Sequence, residues 1–302
     1  MITHFAEILA RAVALPDRRI AVCAAEHQEV LEAVDKARSL GIASSILVGD
    51  EAAIRRELAS LGMDATDYEI IDVPTPVEAA TTAVKLVADG RADILMKGLI
   101  DTNILLHAVL DSEHGLRMGK VLSHVALFEL HHYDKLLAMT DGGINIAPDV
   151  DTKEEIIRNS LQVTRALGIE TAKVAVVAAK EKVSPKMQAT VDAAELRTRH
   201  IEGAIVDGPF AIDNAINREA ARTKGITSEV AGDCDVLLMP QIESGNVFYK
   251  ALVFLGHAWV AGIVVGAKRP IVLTSRVDTE QAKLYSIALA MLVADSLQRE
   301  AT

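Results

Sequence analysis

The sequence predicts an α/β protein, mostly parallel sheet covered by helices. Three observations predict it. Short apolar runs of strand length alternate with amphipathic segments of helix length along the whole chain. Apolar residues make up 50% of the chain and aromatic residues only 3%, which specifies an aliphatic core. At 302 residues the chain admits two domains or one large one.

The elements follow in order. Met1–Arg11 carries no basic stretch ahead of an apolar run, so it reads as a first amphipathic helix and not a signal peptide. Arg19–Ala24 is the first strand, His27–Leu40 a helix, Ala43–Val48 a strand, Glu51–Leu61 a helix and Glu69–Val73 a strand. Pro76–Asp89 opens with the proline that suits a first helical turn. The strand Ile94–Met96 leads through a polar loop to a helix at Asn103–Leu110. His124–Glu129 and Leu136–Thr140 are strands separated by the polar His131–Lys135, and Thr152–Leu167 is a helix. Val174–Ala178, Ser184–Arg197, Ala204–Asp207 and Ile212–Lys224 continue the alternation. Val236–Met239 ends at Pro240, and a second polar loop ends at Asn246, placed to cap a helix over Val247–Leu255. Val260–Val265 and Ile271–Thr274 are the last strands and Leu284–Gln298 the last helix. The segments 93–103 and 235–246 share one pattern: acidic residue, short strand, polar loop ending in asparagine, aliphatic helix. With the polar interruptions at 131–135 and 267–270 as hinges, residues 1–130 plus 266–302 form a discontinuous first domain and 131–265 the second.

Composition narrows function. A formal charge of −11 argues against nucleic-acid backbone binding. The uncharged run Ala251–Ala267 is broken by Gly256, His257, Gly262 and Gly266 and divides into a helix end and a strand, so no membrane span is expected. Cys23 and Cys234 have no metal-ligand spacing and read as reduced, buried thiols of a cytoplasmic protein. No metal is expected. P-loop, GxGxxG, GxSxG, HExxH and CxxC patterns are all missing.

Strand ends carry the chemistry that remains. Ligands bind at the carboxyl ends of strands in α/β sheets. There the sequence places Lys97, the Glu243-Ser-Gly-Asn246 segment and Thr274-Ser275-Arg276. Gly245 lets backbone approach a ligand, Asn246 presents a helix terminus, Ser275 supplies a hydroxyl and Arg276 a planar cation suited to phosphate or carboxylate. His124, beside Ser123 at a strand edge, is the histidine kept as a site candidate.

Six segments carry a resemblance: Met96-Lys-Gly-Leu99, Gly115–His124, Thr140–Asp149, Ile205-Val-Asp-Gly-Pro209, Glu243–Lys250 and Thr274-Ser-Arg276. In these the chain resembles phosphate butyryltransferases of the wider phosphate acetyl/butyryltransferase family, from Lys97 to Leu297. The resemblance implies two α/β/α domains with an interdomain cleft, as in isocitrate/isopropylmalate dehydrogenase-like folds, assembled at least as a dimer. It implies reversible transfer of an acyl group between coenzyme A and inorganic phosphate, with coenzyme A as substrate and no cofactor.

Ser275 and Arg276 match a Ser-Arg pair of the active site in acetyl-specific relatives and are the expected catalytic residues. Lys97, Thr102, His124, Asp207, Gly245, Asn246, Phe254 and Thr274 are the expected substrate-binding residues. Phe254 falls where those relatives carry an arginine, which favours a butyryl or branched acyl chain. Ala282 falls where they carry the aspartate proposed as base, leaving Asp278, Glu280, His124 or no dedicated base. The alternatives are an acetyl-preferring transferase and a catalytically silent acyl-CoA-binding module.

Overall fold

A computed structural model describes residues 1–119, 121–275 and 278–300. The chain divides into two compact units, one of Met1–His4 and Val121–Val260, the other of Phe5–Lys120 and Ala261–Thr302. The divisions fall before the strand Ser123–Glu129, so that strand groups with the middle of the chain, whereas the hinge at 131–135 assigns it to the first domain.

In the discontinuous unit, helix α1 (Phe5–Val13) precedes β1 (Arg19–Cys23), α2 (Gln28–Ser39), β2 (Ser44–Gly49), α3 (Glu51–Ser60), β3 (Glu69–Asp72), α4 (Pro76–Ala88), β4 (Ile94–Lys97) and α5 (Thr102–Val109). Its first four strands run in the order β3-β2-β1-β4, all parallel. β1 through β3 step one way, and β4 then returns to the other side of β1, so the strand order reverses between β1 and β4.

The middle unit contains β5 (Ser123–Glu129), β6 (Leu137–Thr140), α6 (Val150–Ala166), β7 (Ala172–Val177), α7 (Gln188–Leu196), β8 (Ala204–Phe210), α8 (Ile212–Ile216), α9 (Arg218–Thr223), β9 (Val236–Leu238) and α10 (Ile242–Lys250). Its strand order is β5-β6-β9-β7-β8, parallel apart from the β5–β6 pair. A π-helical turn, Ala251–Leu255, extends α10. The chain returns through β10 (Trp259–Val265), β11 (Ile271–Val272) and α11 (Glu280–Glu300), with β11 antiparallel to β10 and parallel to β4.

Strand positions follow the sequence expectation; helix starts differ, for local hydrogen-bonding reasons. α5 is capped by the Asp101 carboxylate, which accepts the Asn103 N–H at 2.8 Å, so Asn103 lies inside the helix. α10 is capped by Gln241, whose side chain accepts the Glu243 N–H at 2.7 Å, and Gly245 and Asn246 are therefore interior residues. The expectation that Asn246 caps a helix beginning at Val247 is corrected on that point. The single helix expected over 212–224 is two, because the Asn217 side chain accepts the Glu219 and Ala220 N–H groups, both at 2.9 Å, and restarts the helix. α11 begins before Leu284 because the Thr279 hydroxyl accepts the Ala282 N–H. The core of the discontinuous unit is aliphatic, with α11 buried along most of its length and Tyr285 stacked on Phe5 at 4.3 Å.

Candidate active site

At the strand-order reversal, the residues following β1, β4 and β11 line one pocket: His27, Lys97, Gly98, Leu99, Thr274 and Ser275, joined by Glu29 and Val30 of α2 and Lys283 of α11. This is where a doubly wound sheet opens a crevice, since neighbouring crossovers leave in opposite directions. Gly98 is required there: a Cβ on it would stand 2.1 Å from the Ala24 carbonyl oxygen, while its N–H donates to the Cys23 carbonyl at 2.8 Å.

Three of the expected residues, Lys97, Thr274 and Ser275, thus meet in one pocket. Lys97 is 6% exposed, with its ammonium donating to the Gly98 carbonyl at 3.3 Å. Thr274 is buried and Ser275 half-buried. Thr102, half-buried, opens α5 beyond the β4 loop. Arg276 lies outside the described residues.

The surroundings are electrostatically mixed. Lys97 and Lys283 are cations, while burial pushes the carboxyl of Glu26, next to His27, above its ordinary range, with Asp50 adding to the rise against a backbone hydrogen bond. Cys23, behind the pocket at the end of β1, is pushed to about 12 by burial and by Glu26, with Lys97 opposing.

In the middle unit the hub is the loop after β6. The Asp141 carboxylate accepts the N–H groups of Gly143 (2.7 Å), Ile144 (3.0 Å) and Asn145 (3.2 Å), and the Asn145 side-chain amide at 2.7 Å. Asp141 is 3% exposed, so it shapes this loop. His124 packs against Gly143, where a Cβ would stand 3.3 Å from the His124 Cβ, and meets the Tyr249 ring edge-on at 6.4 Å. Gly245 packs on Asp141 and Gly142, and the Asn246 amide donates to the Gly142 carbonyl at 3.4 Å. His124 on β5 and Gly245 and Asn246 on α10 therefore pack against one loop.

Phe254 and Asp207 stand apart from that loop. Phe254, in the π turn, is 54% exposed. Asp207 is on β8, at the far end of the five strands from β5, about 19 Å away at ~4.8 Å per strand. Its carboxylate pairs with Arg197 (3.1 Å) and accepts from the Ser228 hydroxyl (2.5 Å) and the Gly208 N–H (2.8 Å).

Asp278, one of the candidate bases, is buried and accepts the Ser275 N–H at 2.7 Å, whereas Glu280 is exposed at the head of α11. Sequence reasoning missed His27, Glu29 and Lys283. Lys283 carries a legible signal, because a charge among the mostly apolar buried residues of α11 requires partners. Among the described residues no group of three or more His, Cys, Asp or Glu side chains is arranged to hold a metal ion, and no helix is long and apolar enough to cross a membrane.

Doubly wound parallel strands with two buried lysines and the hydroxyls of Thr274 and Ser275 at the order reversal define an α/β protein with a polar pocket at its switch point. The phosphate acetyl/butaryl transferase family matches residues 4–79 and 73–291. The chain is 47% identical to a phosphate butyryltransferase of Clostridium acetobutylicum over 298 residues, covering 97% of this chain and 99% of that one. It is 43% identical to a phosphate acetyltransferase of Thermotoga maritima, covering 92% and 95%. A crystal structure of a branched-chain phosphotransacylase from Enterococcus faecalis superposes with a TM-score of 0.82 at 34% identity, covering 92% of this chain and 99% of that one. The chain belongs to this family of acyltransferases.

Proposed function

We propose that the chain transfers a short-chain acyl group, butyryl or branched, reversibly between coenzyme A and inorganic phosphate. The observation that carries this reading is the meeting of Lys97, Thr274 and Ser275 at the strand-order reversal, in a chain related along nearly its whole length to a phosphate butyryltransferase. A phosphate oxygen attacks the thioester carbon, the carbonyl oxygen gains charge, and the C–S bond breaks to give acyl phosphate and thiolate, which takes a proton. Arg276 grips phosphate through its planar fork and Lys97 adds a second cation. Ser275 donates to the oxyanion or the sulfur. Phe254, with its ring exposed, faces the acyl chain, and Thr102, Thr274, His124, Asp207, Gly245 and Asn246 contribute to substrate binding. Coenzyme A enters as substrate, and no resident cofactor or metal takes part.

The chain acts in the cytoplasm, a reading supported by its two free, buried cysteines. It acts as a homo-oligomer, at least a dimer, supported by the exposed apolar Val247, Leu255 and Trp259 on and just after α10. Purified protein mixed with butyryl-CoA and phosphate releases free thiol; no phosphate-dependent release from any acyl-CoA between acetyl and hexanoyl overturns the reading. An acetyl-preferring transferase is the second reading, favoured by the kinship with the Thermotoga enzyme. Comparing kcat/KM across acyl lengths separates the two, because each methylene in an apolar pocket is worth about 1–3 kcal/mol.

A further inference from the structure

The wall of the pocket that carries Ser275 is held by hydrogen bonds that run through Asp278 and Lys283. Asp278, 5% exposed, accepts the Ser275 N–H, and its own N–H donates back to the Ser275 carbonyl at 3.2 Å. Lys283, in the first turns of α11 and 3% exposed, donates to the Asp278 carbonyl and, at 3.0 Å, to Glu29 Oε2. Glu29 sits in the first turn of α2 and lines the same pocket.

An ammonium buried to this degree persists only where protein groups replace its water. Both partners of Lys283 belong to the pocket's frame. The side chain therefore ties the segment following β11 to the head of α2. Removing it would leave the Asp278 carbonyl without this donor and the Glu29 carboxylate without this cation, and would free the Ser275 segment to move relative to Lys97 and His27.

We propose that Lys283 is a positioning residue: it fixes the Ser275 hydroxyl for the reaction by holding Asp278, and through Asp278 the Ser275 backbone, against α2. The inference rests on the acyl-transfer reading, in which that hydroxyl must point at the reacting carbonyl or sulfur. It goes beyond that reading by giving the pocket's second buried lysine a task other than holding phosphate. A cation that contacts the anion governs its binding, whereas one that aims a hydroxyl governs turnover.

The test is steady-state thiol release from butyryl-CoA by the full chain as wild type, Lys283→Met and Asp278→Ala, with both substrates varied. For Lys283→Met, kcat falls about 10- to 100-fold, as displacements on the order of 1 Å produce, while both KM values stay within about 3-fold. A kcat within about 2-fold of wild type overturns the proposal. So does a KM for phosphate that rises while kcat holds, because that marks direct anion contact. If Lys283→Met lacks the wild-type circular dichroism spectrum, Asp278→Ala reads the same chain of contacts, with a comparable loss of kcat expected and an unchanged kcat overturning the role. A wild-type protein without phosphate-dependent thiol release overturns the acyl-transfer reading first, and the role with it.

Discussion

Replacing Gly245 by alanine tests the packing that shapes the middle unit's loop. An ideal Cβ there would stand 2.7 Å from both the Asp141 carbonyl oxygen and the Gly142 Cα. All three nearest atoms are backbone, so no side chain can swing aside. A Cβ on Gly142 would in turn lie 2.9 Å from the Gly245 carbonyl carbon, so helix and loop touch backbone to backbone. The loop cannot retreat cheaply, because the Asp141 carboxylate pins three of its N–H groups. Alanine gains about 1 kcal/mol of helix propensity over glycine. Against this stand about 1–3 kcal/mol of overpacking and about 1.5–3 kcal/mol if one charged hydrogen bond stretches out of range. The net expectation is a loss of about 2 kcal/mol, or ~4–8 °C in Tm for a unit of this size. Thermal unfolding followed by circular dichroism measures it. Gly119→Ala, where a Cβ meets nothing within 4 Å, is the control and stays within about 0.5 kcal/mol of wild type. A Gly245→Ala protein as stable as wild type would refute the close contact, since propensity alone would then decide the outcome.

Phe254→Arg lowers the butyryl-to-acetyl ratio of kcat/KM by at least about tenfold, since it exchanges an apolar surface for a cation; an unchanged ratio removes Phe254 from the acyl site. Burial pushes the Cys23 and Cys234 thiols to about 12, leaving about one thiolate in 10⁴ at pH 8, so a disulfide reagent used to follow coenzyme A release draws no background from native protein. Rapid titration of either thiol before denaturant is added contradicts this. Asp233 is raised by burial but lowered further by the Lys173 hydrogen bond and the nearby Lys135, ending below its ordinary range. Its stabilising contribution is thus present above pH ~3.9 and is lost as pH falls through the folded value. Asp233→Asn costs about 1–3 kcal/mol at pH 7 in urea unfolding, and the difference narrows in acid; a pH-independent difference contradicts the ion-pair origin.

The alternation of apolar runs located every strand, because a strand's burial is written in its own residues. Helix starts were less legible. Asn103 and Asn246 are sound capping residues in isolation, yet Asp101 and Gln241 stand earlier in each loop and take the first free N–H groups. The choice depends on where the preceding strand ends, which is set by its neighbours across the sheet. The meeting of Lys97 with Ser275 was legible only as chemistry, two polar groups at strand ends. Their proximity comes from β11 inserting beside β4, a pairing between residues far apart in sequence. Asp207 was legible as a local motif, whereas the pairing of its carboxylate with Arg197 and Ser228 was not, since those partners lie 10 and 21 residues away in sequence.

The absence of an aspartate at position 282 loses weight when the proposed reaction is followed proton by proton. Toward acyl phosphate, hydrogenphosphate attacks through an oxygen that already bears charge, so that oxygen needs no base; the proton left on the phosphoryl group is lost from the acyl phosphate and balances the one the thiolate takes. The leaving thiolate belongs to a thiol of pKa ~8.5, stable enough to depart without prior protonation. The demand is for cations and an oriented donor, which Lys97 and Ser275 supply from the strand ends. In the reverse direction the coenzyme A thiol must lose a proton, and neighbouring cations favour the thiolate directly. Asp278, fixed on the Ser275 N–H, serves this chemistry better as an anchor than as a base. On the proposed reading, the cations Arg276 and Lys97 together with the serine then serve both directions without a dedicated base, which makes the placement of Ser275 the quantity on which turnover depends.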